Sequence, residues 1–261
     1  MDSMLVFDRA AVRRHRDRAA GTVGRVADVL RDAAERLLDR LDDTNRRFGD
    51  VLDVGGRGVV APLLRERGLR VVSCDLSPAM AALNGGSCAA ADEECLPFGP
   101  GSFDLIVASL SLHWINDLPG ALLQLRQALR PEGLLLASLP ALGTLAELRT
   151  ALTEAEAEIA GGASPRVSPF PELRDCAHLL QRAGFALPVA DMEEIRLLYA
   201  DPFALLADLR AAGETNAIRQ RARGVPDRTL FPAALARLPT EDGRVAVTLR
   251  MAVMTGWAPG R

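Results

Sequence analysis

Asp53, the glycines that follow it and Asp75 are the residues of this chain best placed to do chemistry. The run Val51-Leu52-Asp53-Val54-Gly55-Gly56-Arg57-Gly58 is followed by Val71-Val72-Ser73-Cys74-Asp75. This reads as a buried strand, a glycine turn, a helix start and a second buried strand ending in a carboxylate. Asp75 lies twenty-two positions after Asp53, near the ~20-residue offset at which nucleotide-binding βαβ units set the acid that holds a ribose. Glycine lets the backbone approach a ligand closely, and the helix that follows offers free N–H groups. Asp75 can accept hydrogen bonds from both hydroxyls of a ribose, so a nucleoside cofactor is expected. Asp53, two positions before the first glycine, would repel a pyrophosphate and suits a ligand with a cationic centre or an ammonium group. A tight strand-to-helix turn needs glycine for steric reasons as well.

Further along, Ala91-Asp92-Glu93-Glu94-Cys95-Leu96-Pro97-Phe98 leads into the apolar strand Ser102-Phe103-Asp104-Leu105-Ile106-Val107-Ala108-Ser109. Asp92 sits after a third strand, where a carboxylate can accept from an adenine amino group. Taken alone, it reads better as part of a solvated acidic loop. His113-Trp114 follows the fourth strand at the carboxyl edge, where open α/β sheets bind ligands. The pair serves as a packed cap or as a base or substrate contact, and packing is the commoner role. Thr215 and Asn216 likewise touch a substrate or cap a helix. No residue is assigned as catalytic. Three histidines, at positions 15, 113 and 178, show no metal-ligand spacing, so no metal is expected.

Together these residues resemble the class I S-adenosylmethionine-dependent methyltransferases, over roughly residues 50–139. The resemblance implies a Rossmann-like, seven-stranded, mainly parallel α/β sheet with an antiparallel last strand. It implies S-adenosylmethionine as cofactor, a molecule with both a sulfonium and an ammonium group. It carries the methionine-binding role to Asp53, Gly55, Gly56 and Gly58, the ribose role to Asp75, and the adenine role to Asp92 and Glu93. Leu76, beside Asp75, and Ser109, at the end of the fourth strand, complete the expected cofactor set. One departure stands out: the usual turn is D-x-G-x-G-x-G, and Asp53–Gly58 is one residue shorter, between the first two glycines. Four further segments narrow the resemblance: Val6-Phe7-Asp8-Arg9, Ser111-Leu112-His113-Trp114-Ile115-Asn116-Asp117-Leu118-Pro119, Ser164–Phe170 and Gly213-Glu214-Thr215-Asn216. With Gly143–Arg149 and Gly256-Trp257, they look like bacterial relatives of the mitochondrial complex I assembly factor that hydroxylates an arginine of an iron–sulfur subunit. The biotin-pathway malonyl-carrier-protein methyltransferase shares the His-Trp segment and less of the rest.

Three functions follow as expectations. The first is methyl transfer from S-adenosylmethionine to an acceptor, small molecule or protein, that the sequence does not identify. The second, implied by the narrower resemblance, is arginine hydroxylation or assembly of a respiratory quinone oxidoreductase, with a respiratory complex subunit as partner. The third is a non-catalytic assembly scaffold whose shortened turn has lost the cofactor.

The elements that must position these residues are legible as strands alternating with helices over 50–139, which implies a parallel sheet covered on both faces. Residues 1–48 form a helical lead-in, with Val23, Val26, Val29, Leu30, Leu37, Leu38 and Leu41 at helical spacing. Residues 143–237 supply helical cap segments, 143–170 and 201–237, around a sixth strand at Met192–Tyr199. The final strand lies in 243–257, and the whole, 1–261, is expected to be one domain. Half of the chain is apolar, enough for a sizeable core. The net charge of −3 gives no electrostatic case for nucleic acid. All 31 basic residues other than histidine are arginine, which excludes lysine chemistry. Cys74, Cys88, Cys95 and Cys176 have no paired spacing and read as reduced thiols. No apolar run nears the ~20 residues of a membrane span, and a cytoplasmic location is expected.

Overall fold

The computed structural model describes residues 5–222 and 224–260. Residues 1–4 of the lead-in and Arg223 of the cap lie outside the described residues. One sheet organises the chain. Its strands are β1 (Asp50–Val54), β2 (Arg70–Asp75), β3 (Ser87–Ala90), β4 (Phe103–Ser109), β5 (Leu129–Pro140), β6 (Ala186–Tyr199), β7 (Thr240–Glu241) and β8 (Arg244–Trp257). The order is β3-β2-β1-β4-β5-β8-β6, with β7 paired only to β8. Strands β1 to β5 pair in parallel, and β8 runs antiparallel to both β5 and β6. The fold is thus the mainly parallel α/β sheet with an antiparallel last strand.

The strand count differs from seven. The Glu241-Asp242-Gly243 turn carries positive φ at Asp242 (50°) and Gly243 (73°), the geometry of a two-residue hairpin. Thr240 and Glu241 therefore pair back on Val245 and Arg244 as an eighth, two-residue strand.

The helices are α1 (Arg9–Ala19), α2 (Ala27–Leu38), α3 (Val60–Glu66), α4 (Pro78–Ala82), α5 (Leu118–Ala128), α6 (Ala146–Ala160), α7 (Leu173–Arg182), α8 (Pro202–Ala211) and α9 (Leu230–Leu235). Two apolar clusters cover the two faces of the central strands. Leu37 and Leu38 of α2 join Leu64 of α3 and Leu105 and Leu136 of the sheet. Leu122 and Leu125 of α5 join Leu180 of α7 against Ile106 and Leu135. A third cluster joins α6, α8 and α9 to β8 through Leu152, Leu205, Ala234 and Val247. The lead-in is tied to the cap by a bridge between Phe7 and Ile218. That bridge sets Phe7 edge-on against Trp114, ring centroids 5.2 Å apart.

Candidate functional site

Asp53 sits on β1 opposite Ser73 and Val107, fully buried, immediately before the glycine turn. Gly55 (φ 69°) and Gly58 (φ 79°) take left-handed backbone, which glycine adopts without strain. Gly56 is required for a different reason: a Cβ there would stand 2.3 Å from both carboxylate oxygens of Asp53. The carboxylate therefore lies directly against the turn. Gly55 N–H donates to Cys74 O (2.7 Å) and Gly58 N–H to Asn84 Oδ1 (2.8 Å), so the short turn is anchored to β2 and to the segment after α4. Neither oxygen of Asp53 has a hydrogen-bond partner. Burial, with the nearby charge of Asp75, pushes its carboxyl up to about 7.

Asp75 ends β2 and is fully buried. Its Oδ1 accepts from Ser77 N–H (2.8 Å) and from Arg16 Nη1 (3.4 Å), while Oδ2 has no partner. Arg16, one of five arginines on α1, is itself buried, and its guanidinium also donates to Glu93 Oε1 (2.8 Å) and Ser111 O (3.2 Å). Burial raises the Asp75 carboxyl, with Arg16 opposing, whereas Arg16 and Arg9 hold Glu93 below its ordinary range in spite of burial. Asp92 and Glu93 share Arg9 of the lead-in. Leu76 packs on the cluster around Phe7 and Trp114. Ser109, buried, pairs with Ser138 at the end of β4. The structure thus brings Asp53, the glycines, Asp75 and Glu93 together at the carboxyl ends of β1 and β2. It reaches Asp92 through Arg9.

The sequence reading missed the cations. Arg9 and Arg16 fall on a helix whose arginines spacing alone assigns to solvent. The third, Arg57, lies inside the turn at φ 52° and is almost buried. Its Nη2 donates to Leu110 O (2.8 Å) and to Glu214 Oε1 (2.6 Å). Glu214 Oε2 accepts from Trp114 Nε1 and meets His113 Nε2, both at 2.7 Å. Burial alone would raise the Glu214 carboxyl; His113 and Arg57 hold it far below the usual carboxylate range instead. Asn216 bonds Pro165 O and caps Ile218 N–H, and Thr215 O faces His15 Nδ1.

Arg57, His113 and Glu214 also line a cavity of about 270 Å³. Its other walls come mostly from apolar side chains of α2, α6, α8, β6, β8 and the loop before α7, among them Leu148, Phe170, Leu205 and Leu249. None of Asp53, Asp75 and Glu93 lines it. The carboxylate pocket and the cavity therefore meet at the glycine turn. Among the described residues, no group of three His, Cys, Asp or Glu side chains is placed to hold a metal ion, and no helix is long and apolar enough to cross a membrane.

Known proteins match this architecture. A family model described as a methyltransferase domain matches residues 25–188. The chain is 38% identical over 268 residues to arginine-hydroxylase NDUFAF5, mitochondrial, of Danio rerio, covering 98% of this chain and 84% of that one. It is 34% identical over 273 residues to malonyl-[acyl-carrier protein] O-methyltransferase of Methylovorus sp., covering 97% and 90%. In fold it is similar to the YcgJ protein of Bacillus subtilis, with a TM-score of 0.59 at 12% identity, over 87% and 99% of the two chains.

Proposed function

The chain belongs to the methyltransferase-domain family, and on that premise we propose that it transfers a methyl group from S-adenosylmethionine to an acceptor in the adjoining cavity. One observation carries the cofactor part of the reading. Beneath and beside the glycine turn lie three buried carboxylate oxygens without partners, both of Asp53 and Oδ2 of Asp75. A buried acceptor left unmatched costs about 1–3 kcal/mol, so these oxygens fit a ligand that brings hydroxyls and positive charge. Asp75 would take the ribose, Asp53 the ammonium side, and Gly55, Gly56 and Gly58 would admit the ligand close to the backbone. Glu93 acts on the adenine side, with Arg16 and Arg9 holding it in place, and Asp92, Leu76 and Ser109 border the same region. When bound, the cofactor supplies an electrophilic methyl on a sulfonium. The protein's part is to orient the acceptor and keep water out of the apolar cavity, which is what methyl transfer chiefly requires.

Calorimetric titration with S-adenosylmethionine and with its demethylated product tests this reading. Saturable binding that Asp75→Asn weakens supports it. Absence of binding in the wild-type protein would overturn it and favour the scaffold role. An enzyme acting on a small molecule is the form of the proposal the cavity supports best.

A second reading follows the identity with the arginine-hydroxylase over nearly the whole chain. Under it the acceptor is an arginine of a protein partner, such as a respiratory complex subunit. A gain of one oxygen on arginine in that partner, read by mass spectrometry, would establish it.

A further inference from the structure

The cavity contains polar groups that the cofactor reading does not use. His113 Nε2 faces the Glu214 carboxylate at 2.7 Å. Glu214 can only accept, so Nε2 carries a proton, and in the ring's neutral form Nδ1 is an acceptor. His113 Nδ1 is buried and has no partner. Arg57 Nε, a donor, is also buried and has no partner, although Nη2 of the same guanidinium is held by Glu214 and Leu110. The same carboxylate thus fixes one unmatched acceptor and one unmatched donor, and both side chains line the cavity. A hydroxyl is the group that answers both, donating to Nδ1 and accepting from Nε–H.

The rest of the cavity says what the hydroxyl is attached to. Its walls are mostly leucine, valine and phenylalanine from the lead-in, the cap helices and the sheet, with Arg166, Asp208 and Arg210 among the charged exceptions. Arg166 and Asp208 are already paired, with Glu156 and Arg25. At about 270 Å³ it is on the scale of a small molecule. Burying a guanidinium or a carboxylate among such walls without a counter-charge is costly, and Glu214 already serves Arg57, His113 and Trp114.

We propose that this cavity binds an apolar small molecule carrying an acidic hydroxyl, a phenol or enol, which His113 deprotonates for O-methylation. Resting on the methyl-transfer reading, this names its substrate class. The O–H proton passes to His113 Nδ1, and the Arg57 cation faces the negative oxygen. The oxygen's electron pair forms the new bond to the methyl of the sulfonium donor. The methyl–sulfur pair stays on sulfur as a neutral thioether, and the imidazole then gives its proton to solvent. Glu214 is a positioning residue: it sets the tautomer and holds Arg57.

Binding can be read without turnover. Trp114 lines the cavity, and Trp257→Phe leaves it the only tryptophan. In that background para-pentylphenol should quench the fluorescence saturably and bind roughly three- to tenfold tighter than para-pentyltoluene, the range of one net hydrogen bond. His113→Gln keeps an N–H donor towards Glu214 and lacks the Nδ1 acceptor. It should lose the preference for the phenol while its affinity for para-pentyltoluene stays unchanged, an outcome that misfolding would not give. Equal affinity for the two probes in wild type, a preference that survives His113→Gln, or no saturable quenching by either probe would overturn the proposal. S-adenosylmethionine is titrated separately. If it binds and the phenol does not, this inference falls and the methyl-transfer reading stands. If the phenol binds with its preference and S-adenosylmethionine does not, the hydroxyl site stands and methyl transfer falls.

Discussion

With its carboxyl raised to about 7 by burial against the glycine turn, Asp53 makes cofactor binding depend on pH. A cationic ligand favours the ionised form, so affinity for S-adenosylmethionine should rise between about pH 6 and 8 as Asp53 loses its proton. Asp53→Asn should bind weakly and without that slope, as titrations across the range would show. Stability runs the other way. The folded group holds its proton above the reference 3.8, so its contribution is complete below about pH 4 and is lost as pH rises through about 7. Asp53→Asn should therefore be more stable than wild type at pH 8, by up to about 4 kcal/mol in unfolding free energy for a shift of about three pH units, and the two should converge near pH 4. Asp75 behaves differently because it is paired. Asp75→Asn keeps one acceptor oxygen but removes the charge and the second acceptor for ribose, and it weakens the pairing of buried Arg16. It should cost about tenfold or more in cofactor affinity, roughly 1.4 kcal/mol, and about 3 kcal/mol in stability. Asp104 is the control, since it accepts from the N–H groups of Gly49 and Asp50 and pairs with Arg130. Asp104→Asn should lower the melting temperature and leave cofactor titration unchanged.

At the scale of elements, β8 shows how closely neighbouring layers approach. A Cβ on Gly256 would stand 2.9–3.0 Å from the Phe185 side chain, between α7 and the strand. Gly256→Ala should cost about 1–3 kcal/mol by overpacking, measurable by denaturant unfolding. Strands β1, β4 and the apolar half of β5 were legible as runs such as Leu105–Ala108 and Leu134–Leu139, because a strand buried on both faces is dominated by apolar residues, with few buried polar exceptions such as Asp53 and Ser138. The start of β6 was not. Its residues 186–191 include Pro188 and Asp191, and only Met192–Tyr199 read as a strand. As β6 pairs with β8 alone, it is an edge strand, where proline is tolerated. Helix α9 was hidden by the arginines and prolines of 219–237. In the site, the carboxylates and glycines were legible from their order along β1 and β2. Their cationic partners were not, because periodicity assigns an arginine-rich helix to water and cannot show which arginine, here Arg16, turns inward.

The whole molecule is held from its middle outward. Strands β1, β4 and β5 are covered by helices on both faces, whereas β6 has a free edge and half-exposed residues along its length. In native-state hydrogen exchange the amides of β1, β4 and residues 134–139 should be the last to exchange, and those of α7 and the first half of β6 among the earliest. Protection greatest at β6 would contradict this ordering. The strap between Phe7 and Ile218 has a consequence for synthesis. Asp8 N–H donates to Ala217 O, Arg219 N–H donates to Val6 O, and the Asp8–Arg221 ion pair spans 213 positions. The segment around Phe7 leaves the ribosome long before the segment around Ile218 and must wait for it before it can seat, even though β1 to β5 are already complete. Such distant pairings are slow to form and leave apolar surface open meanwhile. The nascent chain therefore emerges with Phe7 and Trp114 unsheltered, and expression at lower temperature or with chaperones should raise the yield of folded protein.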